Sequence, residues 1–241
     1  MNRFFVDEID DGLARIEDAD FRHCKHVLRL KEGEEVFLVF DGREYVGRIL
    51  SYESNAALCT VIKESDKTRE ADIHVSLYQC IPKSSKIETI IQKNVEIGVN
   101  RIVPVISYRT IVKISEQSKE EKKLTRWHKV SEEAAKQSMR NIIPKVDHIM
   151  TFKQMMNDLR QSEGLIIVPY ENESDNSLSN VQIDHSDVRI VIGPEGGFEE
   201  FEIEELKNAG AHIVTLGPRI LRTETAGIVA CAICMYKTNN I

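Results

Sequence analysis

The chain has 241 residues, 41% of them hydrophobic and 29% charged, the balance of a soluble globular protein rather than a disordered one. Its longest apolar run, Ala226–Tyr236, is 11 residues, too short for a membrane span, and acids follow the first six residues at once, so we expect a cytoplasmic protein without a signal peptide. The net charge of −7 is uneven: residues 1–70 carry −5, residues 71–150 carry +5 and residues 151–241 carry −7, which leaves only the middle of the chain to meet a polyanion.

Strand signals dominate the first 70 residues. Arg3–Val6 is a short extended run. Asp20 is placed to cap a helix through Leu28, with Phe21, Cys24, Val27 and Leu28 on one face. Glu35–Phe40, the turn Asp41-Gly42 and Arg43–Leu50 predict a β-hairpin, and Ala57–Lys63 a further strand. Closely spaced strands with one helix suggest a small barrel. Glu64–Glu70, without an apolar side chain, reads as a linker.

Beyond it the rhythm turns to strand and helix in alternation. Ile73–Cys80 reads as a strand. Ser84 is placed to cap a helix with Ile87, Ile90, Ile91 and Val95 on its apolar face, ending at Gly98. Strand Arg101–Ile106, helix Lys122–Met139, helix Thr151–Gln161 and strand Leu165–Pro169 follow, then a polar loop to Ser186. Strand Val188–Ile192, helix Glu199–Ala209, strand His212–Leu216 and helix Glu224–Tyr236 complete an α/β domain with a mainly parallel sheet. The basic residues around Lys119–Lys129 suit either a polyanion surface or a solvated helix face.

Ligands of open α/β sheets bind at the carboxyl ends of strands, and two junctions there are rich in chemistry. Gly193-Pro194-Glu195-Gly196-Gly197-Phe198 brings backbone N–H groups close to a ligand. It matches neither phosphate-binding glycine pattern, and Glu195, Glu199 and Glu200 would repel a polyphosphate. A cofactor without phosphates, carrying positive charge, suits it better. The second junction, Leu216-Gly217-Pro218-Arg219-Ile220-Leu221-Arg222-Thr223-Glu224-Thr225-Ala226, places Thr223 as a helix cap and Glu224 in the first turn. Cys231 and Cys234 form a C-x-x-C, but no partner set completes a metal site, and within an apolar segment they read as buried thiols. We expect no metal and no membrane association.

The two junctions in tandem resemble those of the RsmE-type methyltransferases of the SPOUT superfamily. Arg3-Phe-Phe-Val, His26-Val-Leu-Arg-Leu-Lys-Glu-Gly, Lys93-Asn-Val-Glu-Ile-Gly-Val, Glu133–Arg140 and Pro144 extend the resemblance along the chain, with departures at Asn94-Val95 and Ile97. It implies a PUA-like β-barrel domain over residues 1–69 and a SPOUT α/β domain with a trefoil knot over residues 70–241. It also implies a homodimer, S-adenosyl-L-methionine as cofactor, and methylation of N3 of a uridine in 16S rRNA of the small ribosomal subunit. The cofactor-binding residues so implied are Val168, Pro169, Gly193, Pro194, Glu195, Gly196, Gly197, Leu216, Gly217, Ile220, Leu221, Thr223, Thr225 and Ala226. RNA contacts are expected from Arg3, His26, Arg29 and Lys31 in the barrel and from Lys83, Arg109 and Arg140 in the basic segment.

The chemistry assigns roles to two more residues. A methyl sulfonium is already activated, so the imide proton of uracil N3 is the obstacle. Arg222 is expected to stabilise the uracil anion, and Glu224 to orient Arg222 or take the proton. Two other readings compete: a non-catalytic RNA-binding protein indifferent to S-adenosylmethionine, and a small-molecule enzyme, which would leave the +5 segment without a purpose.

Overall fold

Two residues with positive φ, Asp41 and Gly42, close the hairpin of β4 (Glu35–Phe40) and β5 (Arg43–Tyr52). A turn of that hand matches the right-handed twist of the strands. The computed structural model describes residues 1–111, 117–161 and 163–241, and the side chains of residues 117–119, Lys119 among them, also lie outside the described set. The chain divides into two units, one of residues 1–70 with 136–142 and one of residues 71–135 with 143–241.

In the first unit β1 (Arg3–Phe5), β2 (Ile9–Asp10), β3 (Leu13–Glu17) and β6 (Ala56–Glu64) join the hairpin in a six-stranded sheet of order β1-β4-β5-β6-β3-β2. Alternate residues, Phe4, Ile16, Val36, Leu38, Ile49 and Cys59 among them, meet in one buried cluster. The helix after β3 differs from the sequence expectation. It begins at Asp18 as α1 (Asp18–Arg22) and continues as a π-helical turn over His23–Val27. The wider turn shifts the helical phase, so Phe21 and Cys24 are buried while Val27 is 66% exposed. Asp20 is therefore no cap; its carboxylate accepts from Lys136 Nζ at 2.7 and 2.9 Å. Residues 136–142 return to this unit through charge: Arg140 donates to Glu70 at 2.5 Å, and Arg3 donates to the Arg140 carbonyl at 2.6 Å.

The second unit holds the parallel sheet. Its strands are β7 (His74–Cys80), β8 (Arg101–Ile106), β9 (Lys145–Val146), β10 (Met150–Thr151), β11 (Leu165–Pro169), β12 (Asp187–Ile192) and β13 (His212–Val214). Their order is β10-β8-β7-β12-β11-β13, with β9 also on β8, and every pairing is parallel. The two-residue strands carry no periodicity of their own, and the sequence expectation lacks β2, β9 and β10, and also the five-residue β3. The helices are α2 (Lys86–Ile97), α3 (Gln117–Gln137), α4 (Phe152–Arg160), α5 (Glu200–Asn208) and α6 (Thr223–Lys237). Residues of α4 and α5 pack with Tyr78, Cys80, Val103 and Val191 in one core. On α6, Gly227 lies against Leu77, Gln79 and Ile192. A Cβ on Gly227 would stand 2.8 Å from Gln79 Oε1, so glycine is what lets α6 approach the sheet this closely.

Helix starts also differ from expectation. α2 is preceded by Ser85, whose side chain makes no cap bond, not by Ser84. α4 has a full capping box between Thr151 and Gln154. On α3 Leu124, Trp127, Ala134 and Ala135 are buried while Lys122, Arg126 and Lys129 are exposed, the pattern of a solvated helix face. Cys231 and Cys234 are buried in α6, and burial pushes the Cys234 thiol up to about 12. No group of three or more metal-ligating side chains occurs among the described residues.

Candidate active site

β7 and β12 are neighbours, but the chain leaves β7 towards β8 on one side and leaves β12 towards β13 on the other. Such a reversal opens a crevice at the carboxyl ends of the two strands. A cleft of about 1000 Å³ lies beside it, over the carboxyl ends of β11, β12 and β13, at the upper end of the range for small-molecule sites. Three loops build most of it: Pro169–Ser177 after β11, Gly193–Phe198 after β12 and Thr215–Arg222 after β13. Lys86, from the start of α2, and Ala226 on α6 complete the lining.

Thr223 holds two sides of this site together. It is not the expected cap: Arg222 holds that position, with no side-chain cap bond, and Thr223 is the first helical residue. Its hydroxyl donates to the Gly193 carbonyl at 2.6 Å and accepts from Gln79 Nε2 at 2.9 Å. Through that one buried side chain α6, the glycine loop and β7 are tied together. Gln79 Oε1 is itself buried without a hydrogen-bond partner.

The glycine loop is fastened on its outer side as well. Arg109 clasps Glu199 with two bonds of 2.8 and 2.7 Å and donates to the Gly196 carbonyl at 2.9 Å. The Lys83 backbone N–H donates to Glu195 at 2.9 Å. Gly197 has φ +71°, and the Glu171 carboxylate occupies the space a Cβ would need. The positive φ is what favours glycine here. In the loop after β11, Glu173 accepts from the backbone of Asp175 and Asn176 at 2.8 and 3.0 Å. Those two bonds, Asn176 first, hold its carboxyl below the usual range.

Most of the expected cofactor residues come together. Pro169, Gly193, Pro194, Glu195, Gly196, Gly197, Leu216, Gly217, Ile220, Leu221, Thr223 and Ala226 all line the cleft, and so does Arg222. Val168 and Thr225 are not among the lining: Val168 is buried in β11 beneath it, and Thr225 is exposed on α6. Glu224 has a partner the sequence did not indicate. It pairs with Lys86 at 3.0 Å, and its Oε2 is buried without a hydrogen-bond partner. Burial works against its charge, but its own backbone N–H, Lys86 and Arg222 outweigh that and hold the carboxyl below the usual range. A carboxylate so stabilised is a weak base.

The expected RNA contacts divide. His26, Arg29, Lys31 and Lys83 are exposed. Arg3 and Arg140 are buried, which corrects the expectation for both. Arg3 pairs with Glu44 and donates to Asn141 Oδ1 at 2.8 Å, and Arg140 pairs with Glu70. Desolvation is tolerable there because every charge meets an opposite one. Arg109 is corrected in part, since its guanidinium serves the glycine loop.

Sequence reasoning missed Lys86, Tyr170, Glu171, Glu173, Ser174, Ser177 and Thr215 among the lining residues. For Lys86 a signal existed, namely a cation at the first position of a helix, where the dipole disfavours one. The residues after β11 sit in a polar loop with no pattern to mark them.

Residues 69–235 match the family model described as RNA methyltransferase domain, and residues 16–62 the one described as RNA methyltransferase PUA domain. Ribosomal RNA small subunit methyltransferase E of Bacillus subtilis (strain 168) is 32% identical over 250 residues, spanning 99% of this chain and 97% of its own. The chain belongs to the ribosomal RNA small subunit methyltransferase E family. The member from Mesomycoplasma hyopneumoniae (strain 232) is 33% identical, covering 98% of this chain and 99% of its own. A crystal structure of the methyltransferase E of Neisseria gonorrhoeae, bound to S-adenosyl methionine, superposes with a TM-score of 0.87 at 30% identity, covering 98% and 97% of the two chains. The methyltransferase E fold therefore accounts for both parts of the molecule, a small PUA-like N-terminal domain and a parallel-sheet α/β domain of the SPOUT class.

Proposed function

We propose that this protein transfers a methyl group from S-adenosylmethionine to N3 of a uridine in 16S rRNA of the small ribosomal subunit, in the cytoplasm. The observation that carries the reading is the cleft at the carboxyl ends of β11, β12 and β13, walled by the glycine loop and by the loop that runs into α6. Its lining fits the cofactor. Glu171, Glu173 and Glu195 face a ligand together with Lys86, Arg219 and Arg222, a mixed wall suited to a molecule with a sulfonium, an ammonium and a carboxylate. Gly193, Gly196 and Gly197 bring loop backbone into the lining, and Leu216, Ile220 and Leu221 supply apolar surface. Bound there, S-adenosylmethionine supplies a methyl group already activated by the positive sulfur.

What the chain adds is alignment and charge. The Thr223 hydroxyl fixes the glycine loop against α6, so the cleft keeps its shape without substrate. Arg222, exposed at the rim, is placed to meet the uracil as its N3 proton leaves. Glu224 stays ionised and holds a cation rather than taking the proton. In the PUA-like domain the exposed His26, Arg29 and Lys31 supply phosphate contacts, which position RNA without reading sequence.

The homodimer and the trefoil knot belong to the same proposal. Val229, Ala232, Ile233 and Tyr236 recur at i, i+3, i+4 and i+7 on α6, and none is buried, with Tyr236 71% exposed. An apolar stripe on a helix calls for a partner surface.

Two measurements test the function. Saturating S-adenosylmethionine should raise the melting temperature, since a ligand at a hundredfold excess over Kd stabilises by about 2.7 kcal/mol. Incubation with small ribosomal subunits or naked 16S rRNA, followed by nucleoside analysis, should yield 3-methyluridine. No thermal shift and no methylated nucleoside would overturn the proposal. RNA binding that ignores the cofactor would favour a plain RNA-binding protein.

A further inference from the structure

We propose that Lys86 is a catalytic residue of this cleft, its ammonium balancing the negative charge that appears on the uracil when N3 gives up its proton. Glu224 is then a positioning residue that acts through Lys86. The inference rests on the methyl-transfer reading above and deepens it at the acceptor.

Several independent observations converge on Lys86. It lines the cleft from the far end of β7, beside the switch point where the glycine loop and α6 also meet. It occupies the first position of α2, where the helix dipole opposes a cation. A residue that breaks a local rule needs a compensating gain, and such breaks concentrate at functional sites. The compensation is visible: Glu224, in the first turn of α6, pairs with Lys86 at 3.0 Å. That carboxylate keeps one buried oxygen without a hydrogen bond, and Lys86 is the cation it pairs with directly.

The anchoring sets Lys86 apart from the other cations of the site. Arg219 and Arg222 are exposed, whereas the Lys86 side chain is 36% exposed and held by its counterion. A cation fixed before the substrate arrives costs no reorganisation at the moment of reaction. The fixing runs through the fold: Gln79 and the Gly193 carbonyl hold Thr223, Thr223 begins α6, and the next residue is Glu224.

The step balances. The N3–H bond breaks and the proton goes to solvent, leaving an imide anion whose charge spreads over N3 and the two carbonyl oxygens. The N3 pair forms the bond to the methyl carbon as the carbon–sulfur bond breaks and its electron pair returns to sulfur. Lys86 forms no covalent bond; it lowers the energy of the anion and so raises the fraction of ionised uracil at neutral pH.

The test uses the full-length protein and three variants, Lys86→Met, Lys86→Arg and Glu224→Gln. Single-turnover methyl transfer is followed against pH, and S-adenosylmethionine affinity is measured by calorimetry. Lys86→Met should slow transfer by about 10²–10³, the loss typical of one positioned donor, with cofactor affinity changed only a few-fold. Its rate should keep rising at alkaline pH where the wild type has levelled off, because the unaided imide ionises there. Lys86→Arg should recover much of the rate. Glu224→Gln should shift the pH profile in the same direction by less. Melting curves with cofactor identify a variant that fails to fold, and Lys86→Gln then replaces it. An active wild type with Lys86→Met equally fast and unchanged in pH profile would overturn this inference alone, and so would a rate loss matched by an equal loss of cofactor affinity. A wild type that transfers no methyl group overturns the reading beneath it.

Discussion

At the scale of single residues, position in space divides groups that look alike along the chain. Arg3, Arg109, Arg140 and Arg222 are four arginines of one sequence family pattern, yet two are buried in ion pairs, one clasps the glycine loop and one lies exposed at the cleft rim. Arg109→Ala should therefore act on the cofactor. With the Glu199 clasp and the Gly196 bond gone, S-adenosylmethionine affinity measured by calorimetry should fall several-fold. The salt dependence of RNA binding, which counts phosphate contacts, should stay as in the wild type. A changed salt slope with intact cofactor affinity would restore Arg109 to the RNA surface. Thr223→Val tests the other fastening. It keeps the shape but leaves Gln79 Nε2 and the Gly193 carbonyl each short of a partner, at about 1–3 kcal/mol for such unmet groups. Urea unfolding should show that loss, and cofactor affinity should drop with it.

At the scale of elements, the short strands depend on charge as much as on periodicity. β9 lies beside β8, and the residue after β9, Asp147, takes Arg101 at 2.5 Å and Lys145 at 2.8 Å. Burial alone would raise the Asp147 carboxyl, but Lys145 and Arg101 outweigh it and hold the group below the usual range. A depressed carboxyl contributes stability that is present above its unfolded pKa, about 3.9, and is lost as pH falls through its lower folded value. Asp147→Asn should cost about 2 kcal/mol at neutral pH. The cost stays below that of a fully buried pair because Lys145 is 73% exposed and screened by water. Melting temperatures across pH 2–7, a range that brackets these values, should show a shallower acid limb in the variant, and parallel limbs would refute the assignment. The π-helical turn after α1 sets exposure instead. It turns Val27 outward and leaves His26, exposed, one residue before it.

For the whole molecule, the proposed homodimer rests on the stripe Val229, Ala232, Ile233 and Tyr236. Light scattering should return about twice the 27.5 kDa chain mass. Tyr236→Arg, which sets a charge in the middle of an apolar contact, should return the single-chain mass at micromolar concentration while circular dichroism stays unchanged. A wild-type monomer would assign the stripe to another partner. The charge distribution acts at this scale too. Part of the +5 of residues 71–150 is balanced locally: Arg101, Arg126 and Arg140 pair with Asp147, Glu88 and Glu70. Residues 22–31 hold no acid and expose Arg22, Arg29 and Lys31, although residues 1–70 as a whole carry −5.

What the amino-acid order determined by itself was everything carried by short-range pattern. Alternation and turn chemistry marked the hairpin at Asp41-Gly42, the apolar spacing marked α2, α4, α5 and α6, and the two glycine-bearing junctions marked the walls of the cleft. Those signals are local because backbone dihedrals and helical periodicity are set by neighbours a few residues apart. The partners of each charge were decided only by the tertiary structure. Arg3 meets Glu44 and Arg140, Lys86 meets Glu224, and Gln79 meets Thr223 across stretches of chain that no periodicity links. Whether a cation is buried scaffold or available to a ligand depends on desolvation and on the nearest opposite charge. Both are properties of the packed chain, which is why the pairing of Glu224 with Lys86, and the place of Lys86 in the cleft lining, show only once α2, β12 and α6 have come together.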